Sequence, residues 1–144
     1  MSIKISLEGL DDVFNAVDDF KERQLQGFRE GLEDAAQIVE TDAKARCPVG
    51  KIAGGGLRES ITHKTEDLAA TIGTNSDHGI FVEFGTGSKG DSSVAHTSKE
   101  RWTYFNPRVG HFVTTSGMEH RPFLVPALKN NKDNIICAIK SRMG

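Results

Sequence analysis

The run Gly85-Thr86-Gly87-Ser88-Lys89-Gly90 has the spacing of a phosphate-binding motif. In the G-x-G-x-x-G pattern, glycines let backbone N–H groups approach a pyrophosphate at the first turn of a helix. That chemistry needs a helix to open at the motif. The residues that follow, Asp91-Ser92-Ser93-Val94-Ala95-His96, carry no helical apolar stripe. Asp91 also stands where a phosphate loop has its lysine. Nucleotide binding is therefore not expected.

The other reactive side chains are similarly scattered. His63, His78, His96, His111 and His120 show no H-x3-H spacing, and Cys47 and Cys137 form no C-x2-C pair, so no metal centre is expected. Cys47 precedes Pro48 at a predicted helix end, away from the helix N-terminus that would lower a thiol pKa. With no export signal in view, both cysteines are expected to be reduced thiols. Glu83 is more informative, because it lies in an apolar segment, 79–84. A carboxylate taken out of water needs a partner, and Arg58 or Arg121 could supply a structural ion pair. The enzymatic alternative, a small hydrolase using Glu83 with His78 or His120, lacks a spaced catalytic signature. No catalytic, cofactor-binding or metal-binding residue is assigned, and no cofactor is expected.

Periodicity places these residues on elements. Ile3, Ile5 and Leu7 alternate with polar residues and suggest a short first strand. Leu10, Val13, Phe14 and Val17 mark one helical face, with Asp11 and Asp12 suited to the positive end of its dipole. A second, longer helix is predicted over residues 22–46, its stripe running through Leu25, Phe28, Leu32, Ala35, Ala36, Val39 and Ala43. Gly27 and Gly31 interrupt that helix one turn apart, where another backbone could come close. Pro48 ends it.

Residues 50–56 form a glycine-rich loop. Residues 57–62 and 68–73 then read as an antiparallel hairpin joined through Lys64-Thr65-Glu66-Asp67. Segment 79–84 is a strand or a short helical turn. Residues 85–100 read as a long, mobile, exposed loop. A second hairpin is predicted over about 102–115, its arms carrying Trp102, Tyr104 and Phe105, then Phe112 and Val113. A helix after Arg121-Pro122-Phe123 completes the chain. The whole is one domain of 144 residues, of α+β class: a mainly antiparallel sheet with a long N-terminal helix and a C-terminal helix packed on one face.

Composition narrows the function further. The chain is 37% hydrophobic and 26% charged, within the range of water-soluble globular domains. No run reaches the roughly 18 apolar residues of a membrane span, so no membrane partner is expected. The net charge of −2 divides unevenly. Residues 1–46 hold 11 acids and 6 Lys/Arg, and residues 47–144 hold 9 acids and 12 Lys/Arg. This lacks the basic stripe of a nucleic-acid-binding module, but it could guide copies together acidic face on basic face.

Three ordered segments carry a family resemblance. Ala43-Lys44-Ala45-Arg46-Cys47-Pro48-Val49-Gly50, followed by Gly56-Leu57-Arg58-Glu59-Ser60-Ile61, resembles an "AK…PV.TG.LR.SI" segment. Phe81-Val82-Glu83-Phe84-Gly85-Thr86-Gly87 resembles "YA..VEFGTG", and Arg121-Pro122-Phe123-Leu124-Val125-Pro126-Ala127 resembles "PFL.PA". Together they resemble the neck, head–tail joining and tail-completion proteins of long-tailed phages and prophages. The chain departs from the pattern in its longer 50–56 loop, in the replaced tyrosine near His78 to Phe81, and in its long 88–118 region.

The resemblance implies a structural virion protein at the head–tail junction, made in the host cytoplasm. It implies a ring of six or twelve copies, contacting neighbouring connector, head-closure and tail proteins, with double-stranded DNA passing through the lumen without sequence readout. A tail terminator ring capping the tail tube is the alternative. Pro48, Gly50, Leu57, Arg58, Glu83, Phe84, Gly85, Thr86, Gly87, Pro122, Phe123, Leu124 and Pro126 are then scaffold residues. Gly27, Gly31, Trp102, Tyr104 and Phe112 are the candidate interface residues.

Overall fold

The computed structural model describes residues 10–50, 55–95 and 97–144. It is α+β, as expected. The predicted first strand at residues 3–7 lies outside the described residues.

One helix, α1 (Leu10–Arg46), replaces the two expected at the N-terminal end. Its 37 residues span about 55 Å. The sequence between the two predicted helices holds neither glycine nor proline, so nothing breaks the turn there. Asp11 and Asp12 lie in the first turn and Lys44 and Arg46 in the last, complementing the helix dipole at both ends.

After α1 comes a single turn of helix, α2 (Gly56–Glu59), where the sequence suggested the start of a strand. The first ribbon pairs β1 (Ile61–Glu66) with β2 (Ala69–Thr74), antiparallel and in register Ile61↔Thr74 to Glu66↔Ala69. Strand β1 therefore runs through Lys64, Thr65 and Glu66, and only Asp67 and Leu68 make the turn. Asp67 adopts φ 49°, a left-handed conformation that aspartate tolerates better than most residues. Segment 79–84 is helical, α3 (Gly79–Phe84).

The second ribbon pairs β3 (Trp102–Asn106) with β4 (His111–Thr115), as predicted. The two ribbons are separate sheets of two strands each. The C-terminal region is two helices, α4 (Leu124–Asn130) and α5 (Lys132–Met143), not one. Asn131 makes the joint. Its buried amide donates to Ala127 O at 2.8 Å and to Asp42 on α1 at 2.7 Å.

The core is small. Val39, Ala43, Cys47, Ile61, Phe123 and Ala127 are fully buried together, flanked by Leu57, Ile72, Val82, Leu124 and Ile135. Helix α5 lies along α1, and the two α1 glycines explain how closely. A Cβ on Gly31 would fall 2.6 Å from Ile139 Cα, and one on Gly27 would fall 2.5 Å from Arg142 O. The close approach anticipated at these glycines is made within the chain. Arg142 bonds Asp34 at 2.7 Å, and Gln24 donates to Met143 O at 3.0 Å.

Candidate functional site

The motif residues converge on Glu83. It is buried on α3, at 4% exposure. Its carboxylate accepts three backbone N–H bonds: from Phe123 at 2.7 Å, Leu124 at 2.9 Å and Val125 at 2.8 Å. These are the orphan donors at the start of α4, which no side chain of its own N-cap residue satisfies. The next residue, Pro126, has no N–H to satisfy. Glu83 therefore caps α4 from another helix, with an anion at the positive end of the dipole. The expected partners differ: neither Arg58 nor Arg121 bonds Glu83. Arg58 donates to Cys47 O at 2.9 Å, and its Nε is buried with no hydrogen-bond partner. The Arg121 backbone N–H donates to Val82 O at 2.7 Å, laying the segment before α4 along α3.

The glycines after Glu83 complete this clasp. Gly85 has φ 72°, and a Cβ there would fall 2.7 Å from both Met118 O and His120 N. Thr86 and Met118 exchange backbone bonds at 2.8 and 3.2 Å. Gly87 has φ 66°, and a Cβ on it would collide with the Trp102 ring at 2.7 Å. Trp102 is thus half-buried over Gly87, at the base of the second ribbon. The 85–100 segment includes a 3-10 turn at Gly87–Lys89. Bonds from Asp91 N to Phe84 O and from Ser88 N to Lys99 O tie it back at both ends.

An apolar cleft of about 530 Å³ lies beside the clasp, lined by Pro48, Leu57, His78, Val82, Met118 and Arg121 among others. Glu83 does not line it, since its oxygens face the start of α4. His120 is exposed. Among the described residues, no group of three His, Cys, Asp or Glu side chains is gathered as for a metal. No described helix is long and apolar enough to cross a membrane.

One polar cluster has no counterpart in the expectations. His63 on β1 bonds Glu40 through Nδ1, and its Nε2 lies 2.8 Å from Glu33 on the same face of α1. Lys44 adds a contact to Glu40 at 2.5 Å, and Thr65 one to Glu33 at 2.6 Å. Two carboxylates on the two ring nitrogens call for two N–H donors, the imidazolium form. The bonds to Glu33 and Glu40 accordingly raise the His63 pKa. The Lys44 bond is the first cause of lowering at Glu40, and the His63 bond at Glu33.

Among the described residues, two surfaces remain uncovered. Every residue of α1 from 11 to 23 is exposed, and its stripe of Val13, Phe14, Val17 and Phe20 is 56–58% exposed. On the second ribbon, Phe105 and Phe112 face each other edge-on, with ring centroids 5.5 Å apart. They are 51% and 71% exposed, and Tyr104 is 43% exposed.

Residues 11–85, just over half of the chain, match the family described as "Bacteriophage HK97-gp10, putative tail-component". The match runs from α1 to the glycine after α3 and includes Glu83. No curated protein and no solved structure gives a significant match.

Proposed function

Because this chain belongs to the HK97-gp10-like family of bacteriophage tail components, we propose that it builds a ring at the head–tail junction of a tailed phage or prophage. Family membership makes it a structural tail component of the virion; the ring and its station are the finer reading. The supporting observation is the division of the molecule. A body is clasped by Glu83, and two apolar surfaces that no described residue covers lie at residues 13–20 of α1 and on the second ribbon. Exposed apolar patches of this kind mark association surfaces in otherwise soluble chains.

Repeated copies of one contact between unlike surfaces close into a ring when the rotation per subunit fits a whole number. Six or twelve copies, contacting connector, head-closure and tail proteins, are the proposed arrangement. Double-stranded DNA would pass through the lumen. The net charge of −2 suits passage better than grip. A ring terminating the tail tube uses the same contacts at a different station.

Native mass spectrometry with negative-stain imaging of the purified chain tests the reading. A concentration-dependent closed oligomer with a central hole is the expected result. A chain that stays monomeric at millimolar concentration, or one that binds DNA with a steep salt slope, would remove the ring from consideration.

A further inference from the structure

The face that the first ribbon turns to α1 changes character along its length. On β1 the inward positions are Ile61, His63 and Thr65, and their partners on β2 are Thr74, Ile72 and Ala70. The inner half carries the apolar anchors: Ile61 is fully buried and Ile72 packs against the same core. In the outer half, Thr65 and Ala70 are small, and Leu68 in the turn is 48% exposed. The pair of Asp67 with Arg29 is 3.6 Å apart and open to water, where such pairs contribute little. Among the described residues, the remaining polar bonds from this half to α1 all run through His63 or Glu33.

We propose that His63 is a proton-released latch: as the imidazolium it pins the outer half of the β1–β2 ribbon to α1, and as the neutral ring it keeps Glu40, releases Glu33 and frees residues 64–70. A neutral imidazole has one N–H, so one of the two carboxylates must then face a ring lone pair. The two are unequally placed. The Glu40 side chain is 11% exposed and also held by Lys44 at 2.5 Å, whereas Glu33 is 56% exposed and can turn to water. The retained proton therefore sits on Nδ1, toward Glu40, and the Glu33 contact at 2.8 Å is the one that breaks. Thr65 is bonded to the same Glu33 carboxylate and loses its tie to α1 with it. No other charge takes over. Lys64 and Glu66 lie on the outward face of β1 and pair with each other, and β2 carries no titratable side chain. On α1, Asp34 beside Glu33 is bonded to Arg142.

The test measures hydrogen exchange on the dilute full-length chain, as protection factors corrected for the pH dependence of the intrinsic rate. An NMR titration of His63 fixes the midpoint. From about one pH unit below that midpoint to about one above it, protection at residues 64–70 should fall about fivefold or more, as for loss of one charge-assisted bond. At every pH it should stay below that of residues 35–43 of α1, because the ribbon end opens without global unfolding. Two variants assign the parts. His63→Gln has no proton to lose and should show no fall. Glu33→Gln offers the neutral ring an NH2 donor and Thr65 a carbonyl oxygen, so it should shrink the fall to about twofold or less while the ribbon end stays closed.

Protection at residues 64–70 equal to that of residues 35–43 would overturn the latch, because the ribbon would then open only with the whole chain. Protection that does not change across the His63 titration would overturn it too. So would a fall that persists undiminished in His63→Gln, which would place the proton on another group, or in Glu33→Gln, which would show that Glu33 is not the arm that lets go. None of these outcomes bears on the ring, which stands or falls on the oligomeric state alone.

Discussion

Replacing Glu83 by glutamine should cost far more than its modest chemistry suggests. The side chain keeps its volume and one carbonyl oxygen. That oxygen can retain the Phe123 and Leu124 donors at 2.7 and 2.9 Å, but the new NH2 group then opposes the Val125 N–H, now 2.8 Å from Oε1. One charge-assisted bond is lost outright and the other two lose their ionic component, together about 2–3 kcal/mol. Glu83→Ala leaves three donors without an acceptor. Water reaching the part-buried Leu124 and Val125 recovers some of that loss, which sets the cost at about 3–4 kcal/mol rather than the full sum. With a urea slope of about 2 kcal/mol/M, the Gln variant's midpoint should fall by about 1–1.5 M. Urea unfolding followed by far-UV circular dichroism checks this, with hydrogen exchange at the Phe123 and Leu124 amides as the local readout. A Gln midpoint within about 0.2 M of wild type would refute the cap.

The glycine contacts make a second prediction. Gly31→Ala should destabilise by about 1–3 kcal/mol although alanine favours helix by about 1 kcal/mol, because its methyl meets Ile139 Cα at 2.6 Å. Gly73→Ala, in open space, should be close to neutral in the same urea unfolding. The His63 cluster predicts a pH effect with a definite sign. Its folded pKa is raised above the ordinary 6.5, so the stabilisation is complete below about pH 6.5 and is lost as pH rises through the folded value. On the acid side, Glu33 and Glu40 are lowered from 4.5, so their contribution is present above that value and is lost as pH falls through the folded ones. His63→Gln should flatten the alkaline limb of the stability profile, and an NMR titration placing His63 at or below 6.5 would sink the argument. Finally, Cys137 is exposed while Cys47 is buried with its pKa raised by desolvation. An aromatic disulfide reagent should therefore find one fast thiol in the folded chain and the second only on unfolding.

What periodicity could see and what it could not divide along a physical line. The α1 stripe was legible because apolar spacing is a property of letters alone. Its continuity was missed because neither expected helix covered residues 18–21, although Phe20 lies three residues after Val17 on the same face. The position of Glu83 inside an apolar segment signalled a buried carboxylate. Its partners were invisible, since the donors are backbone N–H groups that every non-proline residue carries. Only Pro126, three residues after Phe123, hinted that the start of α4 was being relieved of donors. The His63 cluster escaped for a different reason. Its members are 23 and 30 residues apart in the chain, and only the pairing of one α1 face with one β1 face brings them together. Glu33 and Glu40, seven apart and so two turns along one face, were the available signal.

On the proposed reading, the same division separates folding from assembly. The bonds that hold the body join α1 to α5, α1 to β1, and α3 to the start of α4. None involves residues 11–23 of α1 or the Phe105/Phe112 face of the second ribbon. A substitution at Gly31 or Glu83 should therefore lower the unfolding midpoint and disturb assembly only through loss of folded chain. A substitution at Phe20 or Phe112 should lower the stability of the isolated chain by no more than about 1.5 kcal/mol, the worth of an edge-on aromatic pair such as Phe105–Phe112, and on the proposed reading act mainly on association. Exposed apolar side chains cost the monomer solubility and return nothing to its core. On the proposed reading, their presence at residues 13–20 of α1 and on the second ribbon is accounted for when a neighbour covers them.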